Sequence, residues 1–274
     1  MRTIRISSGG TAMSPSVDVL HRPLAIGHRG WHKSHIENTL DAFREAYEAG
    51  CDMVEFDVQL SRDGVPFVFH DDDGVRLAQR KERVFDLDWK DLREWVLPPR
   101  LEARKGGKPG GYRMPTLEDF LTEFGSKSFY LEMKVPRLKH GDKRYYEALG
   151  RACADLVTQS RPSPHTFLAS FHAPILEFLG RSQAFPHRVG IHEALSSFRE
   201  ALATGTPSVE RHSLSWRVWG GYLKSAASIV GQLADPGKIL IWDIHNRADM
   251  VAARAAGIHA LVADDVETMV EVCR

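Results

Sequence analysis

The sequence predicts a single (β/α)8, or TIM, barrel with a small insertion after its third strand, and three observations predict it. Short apolar runs alternate with helical apolar spacings from about residue 24 to the C-terminus, the pattern of a parallel sheet covered by helices. The polar residues that interrupt those runs sit at or near the strands' C-terminal ends, where a barrel carries its chemistry. The length of 274 residues suits one such barrel, typically of ~250 residues. An open doubly wound sheet is the alternative, but no G-x-G-x-x-G or G-x-x-x-x-G-K-[ST] follows any strand, which removes the usual nucleotide signals.

Residues 1–20 are rich in Ser, Gly and Thr and read as a flexible tail before one domain over 21–274. Leu24–His28 is the first strand. Thr39–Ala49 has helical spacing at Leu40, Phe43, Ala46 and Tyr47, closed by Gly50 as a C′ glycine. Met53–Leu60 alternates strictly and is the second strand. A turn at Arg62-Asp63-Gly64 leads into Val65–Phe69, so the two strands form a hairpin. Residues 71–115 break the rhythm and read as the insertion, with a helix around Trp89–Val96 and a basic glycine-rich run, Arg104–Gly111, expected to cover the barrel mouth. Thr116–Phe124 is a helix whose Thr116 and Asp119 fit a capping-box variant. Strands follow at 129–135, 166–170, 188–192, 214–217, 238–244 and 260–263. Helices alternate with them at 145–159, 174–183, 194–203, 222–233, 248–256 and 266–272.

Composition narrows the partners. The 36 basic residues balance 36 acidic ones, so nothing draws the chain to nucleic acid or to an anionic membrane. No apolar run is long enough to span a bilayer, and the N-terminus lacks a secretory apolar segment. Cys51, Cys153 and Cys273 are an odd number without metal spacing, which fits reduced core thiols in a cytoplasmic protein.

The organising stretch is M-V-E-F-D-V-Q-L, Met53–Leu60. Glu55 and Asp57 project from one face with Cβ atoms ~7 Å apart, from a ~3.3 Å rise per residue. Two buried carboxylates that close are costly without a positive charge between them, and Mg²⁺ and Ca²⁺ take oxygen ligands. Phe129–Val135 repeats the alternation, with Glu132 and Lys134 on one face. His28 and His70 end two other strands. Such a set suits metal-assisted phosphodiester cleavage: carboxylates hold a divalent cation, Arg29 or Lys134 neutralises phosphate, and two imidazoles move protons near neutral pH.

These residues resemble those of the glycerophosphodiester phosphodiesterase family. The resemblance runs through His28-Arg29-Gly30, Glu37-Asn38-Thr39, Glu55-Phe56-Asp57, Asp63-Gly64, His70-Asp71, Arg76, Met114–Leu117, Leu131–Lys134, Ser170-Phe171, Trp242 and Ala263-Asp264. It implies a TIM barrel with a small insertion that hydrolyses glycerophosphodiesters to an alcohol and glycerol 3-phosphate. It also implies that Glu55, Asp57 and Glu132 bind Mg²⁺ or Ca²⁺, with Mn²⁺ a third option. His28 and His70 are the implied acid–base pair, and Arg29 and Lys134 the phosphate contacts. Glu37 is implied as a site carboxylate and Trp242 as a wall against glycerol or headgroup. Ile36, Ser61, Ala263 and Val266 depart from the family pattern without removing a ligand or an acid–base group.

Two other readings share those residues: a lysophospholipase D or phosphodiester lyase that forms a cyclic phosphate, and a non-catalytic barrel that binds a phosphorylated ligand. The complete set of histidines and carboxylates disfavours the second. A glycosidase leaves the His pair and Lys134 unexplained. His32 and His35 read as exposed loop residues rather than zinc ligands, and Asp72 and Asp73 as solvated. Trp89 and Trp95 read as anchors of the insertion, Trp216 and Trp219 as either core or pocket rim, and His192, His245 and His259 as structural or exposed.

Overall fold

A computed structural model describes residues 22–33, 35–98, 110–180, 187–204, 209–218 and 235–274. The expected tail, most of the Arg104–Gly111 run, Trp219 and the expected helix at 222–233 lie outside the described residues.

Eight parallel strands close into a barrel. They are β1 (Leu24–Gly27), β2 (Met53–Leu60), β4 (Phe129–Met133), β5 (Phe167–Ser170), β6 (Arg188–His192), β7 (Arg211–Ser215), β8 (Ile239–Trp242) and β9 (Ala260–Ala263). Their order is β1-β9-β8-β7-β6-β5-β4-β2, and pairing of Ile26 with Met53 and Gly27 with Val54 closes the ring. Strand β3 (Pro66–Val68) pairs antiparallel with β2 and stands outside the ring, as the hairpin reading expects. The described α-helices are α1 (Leu40–Glu48), α2 (Trp89–Leu92), α3 (Leu117–Phe124), α4 (Lys143–Ser160), α5 (Ala173–Gly180), α6 (Leu195–Thr204), α7 (Arg247–Ala255) and α8 (Val266–Cys273).

Strand parity sorts the core. Val54, Phe56, Val58 and Leu60 of β2, with Phe129, Leu131 and Met133 of β4, pack outward under the helices. Met53 and Tyr130 face inward and join Leu24, Ile26, Phe167 and Leu240 in an apolar floor inside the barrel. Counting in twos from Met53 and Tyr130 turns Glu55, Asp57 and Glu132 inward above that floor. Between barrel and helices, Phe56 and Phe120 lie 4.0 Å apart by ring centroids, with Phe43 5.3 Å from Phe120.

Caps fix where helices start. The Thr116 hydroxyl accepts from Asp119 N–H and the Asp119 carboxylate accepts from Thr116 N–H, so the expected capping box forms at α3. Gly50 follows α1 at φ +101°, a left-handed conformation that suits glycine.

Several strands and helices differ from expectation by a few residues at their ends, as β4 and β8 do, and two elements need a physical account. Strand β7 covers Arg211–Ser215, three residues earlier than its weak apolar signal, because pairing with β6 and β8 rather than its own pattern positions it. The helix expected over Trp89–Val96 is one turn, Trp89–Leu92. Beyond it Leu97 exchanges backbone hydrogen bonds with Tyr112, and Trp95 turns into a second core with Phe69, Leu77 and Val84. Trp95 stands edge-on to Phe69, and the Trp89 ring lies 5.8 Å from Phe67, so both tryptophans anchor this segment. Cys51, Cys153 and Cys273 are free and buried.

Phe120→Ala should cost about 3–5 kcal/mol by removing a ring from the outer core. Denaturant unfolding of the purified variant checks this; a change below about 1 kcal/mol would mean the cluster tolerates a cavity there.

Candidate active site

The barrel's C-terminal mouth opens into a cavity of about 130 Å³. Its lining brings together His28, Arg29, Glu55, His70, Glu132, Lys134 and Trp242 from the expected set, and adds Phe171 and Glu193. Asp57 and Glu37 lie buried behind this surface.

The carboxylates meet because β2 and β4 are neighbours in register, with Asp57 opposite Glu132. One oxygen each from Glu55, Asp57 and Glu132 lies within 4.8 Å of the others, and all three residues are buried. Burial pushes the Glu55 carboxyl well above its ordinary range, and the charges of Asp57 and Glu132 push it further. Burial also opposes ionisation of Asp57, but Lys134 and Arg29 overcome it and hold that carboxyl below its ordinary range. Lys134 Nζ stands 3.2 Å from Asp57 Oδ1 and 2.7 Å from Glu132 Oε1. Burial favours its neutral form, yet the Glu132 and Asp57 charges outweigh burial and raise its pKa. Although Glu132 Oε1 is within ion-pair distance of Lys134, it has no partner in hydrogen-bond geometry. A carboxyl destabilised by burial and by two neighbouring carboxylates suits an oxygen-seeking divalent cation.

Residues 28–30 leave β1 in a tight turn. Arg29 (φ +55°) and Gly30 (φ +80°) are left-handed, and a Cβ on Gly30 would come within 2.7 Å of the Ala42 backbone. The turn aims Arg29 N–H at Glu55 Oε2 (2.9 Å) and Arg29 Nη1 at Glu37 Oε1 (2.8 Å). Asn38, also left-handed at φ +60°, donates to Asp57 Oδ2 from its side chain at 2.8 Å. Non-glycine residues in that region cost energy and cluster at working sites.

Both histidines are held the same way. His28 Nδ1 lies 2.7 Å from Asp264 Oδ1, and His70 Nδ1 lies 2.7 Å from Asp71 Oδ1. Burial opposes ionisation of both aspartates; hydrogen bonds from His28 and His32 overcome it at Asp264, and those from His70 and Arg76 at Asp71, so both carboxyls fall below their ordinary range. An ionised carboxylate only accepts, so each Nδ1 carries the proton and each Nε2 is left for the cavity. His28 Nε2 is 4.0 Å from Glu55 Oε2. Trp242 ends β8 with its ring centroid 5.7 Å from that of Phe171.

Sequence reasoning left Asp264, Asp71, Asn38, His32, Phe171 and Glu193 without roles. The adjacency of His70 and Asp71, and the position of Asp264 just past the last strand, were available signals. The pairing of His32 with Asp264 at 3.0 Å requires the barrel's closure. His35 instead contacts Tyr112 and Glu45. Asp72 is exposed, and Asp73 accepts from Val75 N–H. His192 pairs with His212 at 3.0 Å, and burial lowers its pKa to about 4. His192, His245 and His259 stand outside the cavity lining, and Trp216 packs at the core's edge.

Fold and site together define a barrel enzyme of the phosphoric diester hydrolase class. The chain belongs to the glycerophosphoryl diester phosphodiesterase family, whose model matches residues 28–268. It is 27% identical over 263 residues to the glycerophosphodiester phosphodiesterase of Caldanaerobacter subterraneus subsp. tengcongensis, covering 92% of this chain and 98% of that one. A match to glycerophosphodiester phosphodiesterase 1 of Mus musculus is 36% identical over 102 residues, covering 37% of this chain and 30% of that one. The Oleispira antarctica phosphodiesterase solved with the product sn-glycerol-3-phosphate superposes with a TM-score of 0.75 at 20% identity, covering 92% and 96% of the two chains. Among the described residues, no helix is long and apolar enough to cross a membrane.

The Glu55 repulsion gives a prediction independent of turnover. In excess chelator, Glu55→Gln should melt above the wild type, by about 2–4 °C per kcal/mol of relieved repulsion. Mg²⁺ should then raise the wild-type melting temperature more than that of the variant. Calorimetry with and without Mg²⁺ decides; equal shifts would remove Glu55 from any metal site.

Proposed function

We propose that this chain hydrolyses glycerophosphodiesters to an alcohol and glycerol 3-phosphate, using one divalent cation, Mg²⁺ or Ca²⁺. The observation that carries this reading is the convergence of two Asp-held histidines and a three-carboxylate cluster on one cavity. Family membership supplies the substrate class.

Glu55, Asp57 and Glu132 would hold the cation. When bound, it supplies positive charge against the phosphate oxygens and the charge that develops on them. Arg29 and Lys134 hold the phosphate from the sides, the first through the guanidinium nitrogen not turned to Glu37 or Asp57. One imidazole takes a proton at Nε2 from the attacking water as its oxygen bonds to phosphorus. The other gives a proton to the alcohol oxygen as the phosphorus–oxygen bond breaks. Each transfer contributes roughly 10²–10⁴-fold. Trp242 and Phe171 form an aromatic wall for the carbon-bearing substituent and exclude water from that side.

Two experiments test this. A panel of glycerophosphodiesters and lysophospholipids, assayed for glycerol 3-phosphate and cyclic phosphate separately, should give glycerol 3-phosphate that chelation abolishes and Mg²⁺, Ca²⁺ or Mn²⁺ restores. Full activity in excess chelator would sink metal dependence, and cyclic phosphate as the main product would favour the lyase. His28→Ala and His70→Ala should each lose ~10²–10⁴-fold in kcat. One of them should recover on a nitrophenyl phosphodiester, whose alcohol leaves without protonation. Equal losses on good and poor leaving groups would instead assign both histidines to phosphate binding.

A further inference from the structure

We infer that Arg76 is a positioning residue that sets His70 and Arg29 in register with each other, an inference that rests on the roles proposed above for those two side chains. Arg76 lies in the segment between β3 and α3, outside the cavity lining. Its guanidinium nonetheless binds two carboxylates at once. Nη1 and Nη2 donate to Glu37 Oε2 and Oε1, each at 2.7 Å. Nε and Nη2 donate to Asp71 Oδ2 and Oδ1 at 2.7 and 3.0 Å. Each carboxylate holds one member of the site: Asp71 the His70 ring at 2.7 Å, and Glu37 the Arg29 guanidinium at 2.8 Å. The connection runs unbroken from His70 through Asp71, Arg76 and Glu37 to Arg29.

Stability is not all that this pairing provides. The Arg76 side chain is 41% exposed, but its partners Glu37 and Asp71 are 4% and 20% exposed, so the pairing also satisfies carboxylates held away from water. Glu37 also has a half-buried cationic partner in Arg29, which together with Arg76 overcomes the burial that opposes its ionisation and holds its pKa at about 2. What Arg76 adds is geometry. A planar fork can grip two carboxylates along two edges; an ammonium cannot. Its mount is also stiff. Leu77 beside it is buried in the second core, Ala78 N–H and Arg80 N–H both bond to Gly74 O, and a Cβ at Gly74 would collide with the Trp95 ring. The segment after β3 thereby acts on the chemistry without touching substrate.

The test compares wild type, Arg76→Lys and Arg76→Met. Displacing His70 lowers kcat and displacing Arg29 weakens phosphate affinity, so both should change. We expect kcat to fall ~10–100-fold, the scale of a misplacement of about 1 Å, and the Kd for sn-glycerol 3-phosphate in Mg²⁺ to rise at least several-fold. Mg²⁺ affinity should stay at the wild-type value. The lysine variant should fare no better than the methionine one, although it keeps the charge. Glu37→Gln should reproduce chiefly the affinity loss and Asp71→Asn chiefly the kcat loss. Wild-type kcat and affinity in Arg76→Lys would overturn the inference. If Arg76→Met fails to fold, the lysine variant decides alone. If the wild type hydrolyses no glycerophosphodiester, the proposed function fails, and binding of sn-glycerol 3-phosphate still reads the clamp: weaker binding by Arg76→Lys supports it, while equal binding, or none by either protein, overturns it.

Discussion

Three carboxylates buried on two neighbouring strands are the constraint from which the rest of the site follows. Glu55, Asp57 and Glu132 project into the barrel because inward and outward residues alternate, and the outward positions are committed to the apolar layer under the helices. Nothing in the apolar floor below can neutralise them. Positive charge has to come from the rim, and it does: Lys134 one step up β4, and Arg29 at the turn leaving β1. The asymmetry matters. Asp57 receives both cations and the Asn38 amide, whereas Glu55 receives a backbone N–H and the repulsion of its neighbours. The folded chain thus stores an electrostatic deficit at Glu55, of the kind a hard cation would relieve.

The histidines follow a parallel logic with opposite sign. In each, a carboxylate behind Nδ1 fixes both orientation and tautomer and leaves Nε2 to the cavity. Asp264 is supplied from beyond the last strand and Asp71 from beyond the hairpin, so the two dyads reach the cavity from different parts of the chain. The Asp264 dyad exists only once β9 pairs with β1 and the ring is closed. Barrel closure and assembly of the His28–Asp264 pair therefore go together, and a misregistered β9 would leave His28 unsupported.

This explains what could be read from sequence and what could not. Strand β2 was legible to the residue because its alternation is strict and both faces are committed. The carboxylates were legible for the same reason, since charged residues inside a parallel strand violate its apolar pattern. Strand β7 was misplaced because Arg211, His212 and Ser213 carry no apolar signal, and its bounds come from backbone pairing on both sides. The helix at Trp89 is shorter than its periodicity suggests, because periodicity does not show that Trp95 is claimed by a separate core. Partners such as His32 with Asp264, or Glu37 with Arg76, are separated by tens to hundreds of residues. Their chemistry is visible in sequence, but their juxtaposition is a property of the closed barrel.

Ring order adds a final consequence. The strands that carry the charged groups, β9, β1, β2 and β4, are consecutive around the barrel, although β9 is last in the chain. The remaining arc, β5 to β8, contributes Phe171 after β5, Glu193 after β6 and Trp242 at the end of β8 to the cavity. Among the described residues the mouth is thus divided into an arc whose members hold one another in place through ion pairs and an arc in which Phe171 packs against Trp242 and Glu193 is the one charged lining residue. Substitution in the first propagates, since Arg29 touches Glu55, Asp57 and Glu37 together. Substitution in the second changes the shape of the wall and meets the charged network where Lys134 lies 5.6 Å over the Phe171 ring. A barrel built this way can keep its phosphoryl chemistry while the opposite arc is altered to suit different substituents on the phosphate.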